Sequence, residues 1–318
     1  MPLKLKYIKL TPLAEESLGV RSMALYVETP DVRVLFDAGV SLAPRRYGLS
    51  PHPSEFKAAK EARERILEYA RKADVVTVSH YHRDHYTPGL VSWYEWSNPE
   101  VQEETYSGKI LLIKHPSERI NFNQRRRAMA FLKAVGSLAE KVLYAESSEV
   151  TLGETTIRSL GLSPHGAEGS KLGFTVIFLL ETRGERLVFA PDVQGPISKA
   201  TLSMIENSDP TIAVIGGPPI YLAGNKVPRS SVESGIKNLV KLARKIPLIT
   251  GHHLLRDPDW RHYISLEKVE LLTYAALLNR EDLLLEAYRR ELYEYSPPSE
   301  EFKKWVNQHT KKEPPPLE

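Results

Sequence analysis

The chain has 318 residues, a formal net charge of +3, 42% hydrophobic and 26% charged residues, and no cysteine. That composition describes a globular chain with room for a large core. It excludes disulfides, thiolate metal sites and a cysteine nucleophile, so any metal must be held by nitrogen and oxygen.

The first ten residues alternate apolar and basic side chains and read as a strand over Leu5–Leu10 rather than as the apolar core of a signal peptide. No run approaches the ~18 apolar residues of a membrane span. A cytoplasmic protein with no membrane association is expected. The lack of cysteine, the 23 prolines and the many charges fit a thermophile.

Further strands are expected at Met23–Glu28 and Arg33–Phe36. A helix follows over about Ser54–Lys72, where Phe56, Ala59, Ile66, Leu67 and Ala70 recur at helical spacing. Val75–Ser79 and Ile110–Lys114 read as strands. A basic helix is expected from about Glu118 to Val135, stopped by Gly136. Thr155–Leu162 reads as a strand, and Phe174–Glu181 and Arg186–Ala190 as a hairpin joined through Thr182, Arg183 and Gly184. Thr211–Ile215 is the next strand. Ser230 and Glu233 have the spacing of a capping box opening a helix. Leu248–Thr250 closes the strand series. Leu266 to about Tyr293 looks helical, and the last eight residues, 311–318, look disordered. With no repeat and no long linker, one mixed α/β domain over 1–310 is expected, with a helical C-terminal extension from about 264.

One stretch carries chemistry. After the apolar run Val75–Ser79 come His80, His82, Asp84 and His85. Alternate residues of an extended segment point the same way, so His80 and His82 can converge on one point. Asp84 and His85 are adjacent, and a turn can aim them at a neighbouring point. Imidazoles and carboxylates so arranged suit two divalent cations, zinc first, with manganese and iron as alternatives.

This H-x-H-x-D-H motif after a strand resembles the metallo-β-lactamase superfamily. The other elements of that pattern follow in order: Asp37 in "VRVLFDAG", His165 in "IRSLGLSPHG", Asp192 in "RLVFAPD", and His252 or His253 in "LITGHHLLR". The resemblance implies an α+β fold, a four-layer αββα sandwich with its metal site at a sheet edge. His80, His82 and His165 would hold one ion, and Asp84, His85 and His252 the other. Asp192 would bridge them, and Asp37 would orient ligands from behind. His115 is a rival to His165 but comes too early in the order. His252 stands four residues before Arg256, as in phosphodiesterase branches of the family, although Gly251 replaces the threonine often found there. Further stretches, "SLGVRSMALYVET" and "LAPRRYGLSPHP", resemble an archaeal group of the superfamily.

The implied activity is metal-dependent hydrolysis. Asp84 and Asp192 would position an activated water for attack on an ester or a phosphodiester, the phosphodiester leading. Arg45, Arg46 and Arg256 are candidates to bind an anionic group of the substrate. Asn123–Arg127 reads as a charged helix face and His262 as a structural histidine, and the small positive balance gives no indication of nucleic acid. Only 60 residues (252 − 192) separate Asp192 from His252, too few for the inserted domain of the RNA-processing β-CASP branch. The 27 residues (192 − 165) from His165 to Asp192 are too few for the arm of the tRNA 3′-processing branch. A small-substrate lactonase or thioesterase and a non-catalytic metal-binding protein are the alternatives. Oligomeric state is not legible in the sequence.

Overall fold

The computed structural model describes residues 5–265, 267–308 and 313–317. The first half of the chain runs β1 (Lys9–Glu15), β2 (Met23–Glu28), β3 (Arg33–Phe36), α1 (Pro53–Ala70), β4 (Val75–Val78), α2 (Pro99–Tyr106), β5 (Ile110–Ile113), α3 (Phe122–Val135) and β6 (Lys141–Tyr144). Its strands form one six-stranded sheet in sequence order, antiparallel from β1 to β3 and parallel from β3 to β6. The second half runs β7 (Glu149–Leu152), β8 (Thr155–Pro164), β9 (Phe174–Thr182), β10 (Glu185–Ala190), α4 (Lys199–Asn207), β11 (Ile212–Gly216), α5 (Arg229–Ala243) and β12 (Leu248–Gly251). These strands form a second six-stranded sheet, antiparallel from β7 to β10 and parallel from β10 to β12. Four short helices follow: α6 (Trp260–Ser265), α7 (Tyr274–Leu277), α8 (Arg289–Tyr295) and α9 (Glu300–Val306).

The strands read as apolar runs because both faces of each sheet are covered. On β2, Met23, Leu25 and Val27 point between the sheets, against Phe178, Phe189 and Val214 of the second sheet. Phe36 packs there against Phe189 and Phe178, with ring centroids 5.0 and 6.0 Å apart. The alternate residues Ala24 and Tyr26 face outward, onto a layer that includes Phe56 and Ile66 of α1 and Phe131 of α3. On the second sheet, Ile177, Val188 and Ala213 face Leu202 of α4 and Leu239 of α5. This is the expected αββα sandwich.

Several local expectations shift. The first strand begins at Lys9, because the main-chain N–H groups of Lys6, Tyr7 and Ile8 donate to the Glu185 carboxylate at 2.5–3.0 Å instead of to a ladder. The basic helix starts at Phe122, capped by Asn121, rather than at Glu118. Helix α2 was not expected, although the Asn98 cap and Pro99 in the first turn are start signals. The supposed capping box on Ser230 does not form: α5 starts at Arg229 after Pro228, with no side-chain cap. The reciprocal box sits instead on α1, between His52 and Glu55.

The region expected as helix from Leu266 is broken, and Leu266 itself lies outside the described residues. Leu272 exchanges main-chain hydrogen bonds with Leu248 and Thr250 at the edge of the second sheet, and Leu283 donates to Ser17 O, so that backbone is not available for a helix. Of the segment expected as disordered, 311, 312 and 318 also lie outside the described residues. Within 313–317, the Glu313 carbonyl accepts from Trp305 Nε1 at 2.8 Å and Leu317 packs on the helical side of the first sheet.

The loops leaving β3 and β4 are pressed together. A Cβ on Gly39 would lie 2.3–2.4 Å from main-chain atoms of Asp84, His85 and Tyr86. The buried Arg63 of α1 clamps the same junction, donating to Ala38 O at 3.1 Å, Thr87 Oγ1 at 2.7 Å and Glu95 O at 3.1 Å. With no carboxylate on it, burial pushes this guanidinium down to about 10. Gly39→Ala must move backbone rather than a flexible side chain, and should destabilise the protein by about 1–3 kcal/mol. A denaturant midpoint within error of wild type would show that the two loops are not in rigid contact.

Candidate metal centre

Every candidate ligand sits just beyond the C-terminal end of a strand. Asp37 follows β3, His80–His85 follow β4, His165 follows β8, Asp192 follows β10, and His252 and His253 follow β12. Asp37, Asp192 and His252 have φ of 47°, 53° and 57°. This left-handed backbone costs a non-glycine residue roughly 1–2 kcal/mol, and it turns each side chain back across the sheet edge.

The structure brings all of these side chains together. Asp192 is central and 1% exposed. Its Oδ2 lies 3.2 Å from His80 Nε2, 2.9 Å from His165 Nε2, 3.1 Å from His85 Nε2 and 3.9 Å from His82 Nδ1. Its Oδ1 lies 3.0 Å from His252 Nε2 and 3.2 Å from His253 Nε2. His80 Nε2 faces His82 Nδ1 at 3.0 Å, and His85 Nε2 faces His252 Nε2 at 3.4 Å. Two groups result: His80, His82, His165 and Asp192, and Asp84, His85 and His252. A third group joins Asp192, His252 and His253. His115 and His262 are in none of these. The His115 ring packs on Tyr144 at 4.6 Å, and its Nδ1 accepts from the N–H groups of Ser117 and Glu118.

Hydrogen bonds behind the rings fix which nitrogen faces inward. Asp37 Oδ2 accepts from His85 Nδ1 at 2.8 Å and from Ser79 Oγ at 2.5 Å, while Ser79 N donates to Asp37 Oδ1 at 2.8 Å. With its proton given to Asp37, Ser79 Oγ accepts from His80 Nδ1 at 3.0 Å. Asp37 therefore sets the tautomer of two rings, and both present a bare Nε2 to the centre. Glu16 does the same for His252, with its carboxylate 3.2 Å from Nδ1.

His253 differs. Arg256 Nη1 lies 3.1 Å from its Nδ1, and a guanidinium can only donate, so Nδ1 accepts and the proton sits on Nε2. Tyr221 Oη approaches the same Nδ1 at 3.1 Å. The same guanidinium also reaches His252, with Nη2 3.2 Å from both of its ring nitrogens, and both histidines stand within 3.2 Å of Asp192 Oδ1. Gly251 has its own reason: a Cβ there would strike Glu15 Oε1 at 2.3 Å, and Glu15 accepts from the N–H of His252 at 2.9 Å. That explains the departure from threonine.

The electrostatics favour a cation. Glu15, Glu16, Asp37, Asp84 and Asp192 crowd one volume, and Arg256 pairs with Glu16 at 2.7 Å and lies 3.6 Å from Asp84. Burial, with Glu16 beside it, pushes the Glu15 carboxyl up to about 8. Burial would also raise Asp192 and Asp84, yet the rings of His165 and His252 hold the first, and His85 and His252 the second, well below the carboxylate range. Burial pushes His80 and His82 down, toward the neutral form that binds metals. Burial also opposes charge on His252, but Asp192 and Glu16 raise it to about 9.

The residues fit a metal pair. His165 Nε2 and Asp192 Oδ1 are buried with no hydrogen-bond partner among the described residues, although each has close neighbours. His165 Nε2 faces Asp192 Oδ2 at 2.9 Å, and Asp192 Oδ1 faces His252 Nε2 at 3.0 Å. Nitrogen and oxygen ligands at 2.0–2.1 Å around a tetrahedral ion stand about 3.3–3.4 Å apart, and the facing pairs here span 2.9–3.9 Å.

The three arginines separate. Arg256 is 2% exposed and engaged with Glu16, so its geometry supports positioning rather than substrate capture. Arg45 is exposed and donates to Gly48 O at 3.3 Å. Arg46 lies between the rings of Tyr47 and Tyr221, 4.6 and 4.4 Å from their centroids, and donates to Arg256 O at 2.9 Å. It therefore stands one residue, Tyr221, away from His253. Sequence reasoning missed Glu16 and Tyr221 and set His253 aside. The adjacent acids Glu15 and Glu16, closing an otherwise apolar strand, were the readable signal for the first.

Residues 20–245 match the family model described as "Beta-lactamase superfamily domain". The chain is 47% identical over 296 residues to a UPF0282 protein of Pyrobaculum islandicum, covering 90% of this chain and 95% of that one. It is 44% identical over 290 residues to a UPF0282 protein of Thermococcus kodakarensis, again covering 90% and 95%. Among solved structures, Tm1679, a metal-dependent hydrolase of the β-lactamase superfamily, is similar with a TM-score of 0.48 at 14% identity, covering 84% of this chain and 96% of that one. The chain belongs to the metallo-β-lactamase superfamily.

Proposed function

We propose that this protein is a metal-dependent hydrolase with a dinuclear centre, acting on a phosphodiester. The observation that carries the reading is the Asp192 carboxylate, with one oxygen toward His80 and His165 and the other toward His252. His80, His82 and His165 would hold one ion, Asp84, His85 and His252 the other, with Asp192 between them. Zinc suits this donor set first, then manganese or iron. When bound, such a pair polarises the scissile phosphoryl group and lowers the pKa of water into the neutral range.

The chain's own residues supply the rest. Asp37 and Glu16 hold the rings of His85 and His252 in the ligating tautomer. His82, Asp84 and His253 have side chains 24%, 15% and 13% exposed, while the other ligands are essentially buried, so these three mark the open side of the centre. Asp84 and Asp192 are the carboxylates placed to orient a water. His253 presents an N–H at this open side, suited to a substrate oxygen. Arg46, whose Nε is buried without a partner, supplies the positive charge beyond Tyr221 that favours an anionic substrate.

Three measurements test this. Elemental analysis of the purified protein should find about two transition-metal ions per chain, with His82→Ala and His252→Ala reduced and His253→Ala retaining its metal but hydrolysing more slowly. Metal loss in His253→Ala with full retention in His252→Ala would reverse the assignment. Arg256→Ala, through loss of the Glu16 contact, should weaken metal affinity about 10- to 100-fold. Unchanged metal affinity combined with a raised KM would return Arg256 to substrate binding. With bis-p-nitrophenyl phosphate, Arg46→Ala should lower kcat/KM by roughly 10- to 150-fold, the value of one charge-assisted contact. Turnover of a neutral lactone without phosphodiester turnover, and no effect of Arg46→Ala, would replace this reading with a lactonase.

A further inference from the structure

Helix α3 buries Gln124, Ala128, Phe131 and Val135 on one side. Its opposite side carries Phe122, Arg125, Arg126, Met129 and Lys133, successive neighbours at spacings of three and four residues and all exposed. Phe122 is 78% and Met129 53% exposed. The solvent face of a helix is ordinarily polar, and here two large apolar side chains alternate with three cations. None of these cations has a carboxylate partner among the described residues. Leu172, 46% exposed, and the exposed Lys171 extend the same face, because Asn121 and Gln124 donate to the Leu172 carbonyl at 2.8 and 2.6 Å.

The first turn of α3, which begins at Phe122, adjoins the open side of the candidate metal centre through Gln124 on its buried side. Gln124 accepts from Tyr81 N at 3.0 Å, and its amide nitrogen lies 3.4 Å from Nε2 of His82, the most exposed of the candidate ligands. Around the helix, Arg126 and Arg127 border a cavity of about 410 Å³ with Arg83, Tyr86 and Phe131. Arg83, between His82 and Asp84 in the sequence, pairs with Glu95 at 3.0 Å.

We infer that the outer face of α3 is a binding track for single-stranded nucleic acid, which delivers a backbone phosphodiester to the centre. Guanidinium groups beside an exposed aromatic ring suit a strand with free bases: the cations take phosphates and the ring takes a base face. A duplex offers no base face, and a small phosphodiester would not span α3, about 21 Å long for 14 residues. The delivery step rests on the phosphodiester reading above, whereas the binding step does not.

The test measures fluorescence anisotropy of a labelled poly-uridine strand about 12 nucleotides long, and of the same strand in a duplex, with the metal-loaded full chain. The single strand should bind more tightly than the duplex. Phe122→Ala should weaken its binding by about 5- to 150-fold, the loss of one stacked base. Arg125→Ala and Arg126→Ala should each reduce the slope of log affinity against log salt by about 0.7. The inference is overturned by no binding at low salt, by equal binding of duplex and single strand, or by affinity indifferent to all three substitutions. It is also overturned if Phe122→Ala instead dissolves a dimer seen by sizing, which would make the face a protein contact. Turnover of bis-p-nitrophenyl phosphate is scored separately: with it and no strand binding, only the track fails; with strand binding and no turnover, only the catalytic reading fails.

Discussion

A single buried carboxylate organises this molecule. Asp192 stands among six imidazoles, five of them within 3.2 Å of one of its oxygens: His80, His85, His165, His252 and His253. A carboxylate cannot be taken out of water without positive charge or hydrogen bonds to compensate it. Oδ1 has no well-aligned hydrogen bond among the described residues, and its close neighbours are the rings of His252 and His253. The loops that carry the rings must therefore arrive together, and the strands that carry those loops must end at one edge. The two sheets meet this condition because β3, β4, β10, β11 and β12 lie in the parallel parts of their sheets, where the loops after successive strands emerge on the same side.

Behind the ligands stands a second set of interactions that the fold supplies from its other half. Asp37 comes from the first sheet and governs His80 and His85. Glu16 also comes from the first half, beyond β1, yet governs His252 at the end of β12. Arg256 closes the loop by holding Glu16. The two sheets are thus joined by the apolar seam around Phe36 and again by this polar network at one edge. Breaking a partner in such a network leaves a buried charge uncompensated, which is costlier than losing a surface pair.

Much of this was legible in the sequence, for identifiable reasons. The five loops could be read because each follows an apolar run, and an apolar run bounded by polar residues is what a strand buried on both faces looks like. The sandwich followed from the order of those runs. Interactions between residues far apart in the chain were not legible: Glu16 with His252, or Glu185 with the backbone at Lys6–Ile8, which moved the first strand by four residues (9 − 5). The broken C-terminal helix has the same origin, since Leu272 and Leu283 satisfy backbone partners in the body of the fold. The choice between His252 and His253 depends on a proton position, which the spacing of two adjacent histidines does not encode.

The buried Arg289 of α8 has a wider meaning. It donates to both oxygens of Glu55 at 2.8 and 2.7 Å, to Leu49 O at 3.0 Å and to Ala43 O at 3.1 Å, gripping both ends of the segment that contains Arg46. Among the described residues, no candidate ligand comes from beyond His253, yet the shape of the ground beside the candidate centre is set by a residue 36 positions further on (289 − 253). The candidate metal centre and the ground beside it are therefore separable: the first is closed by residue 256, and the second is held by α8. Relatives could keep the same centre and reshape its surroundings by changing only how that last segment grips the loop.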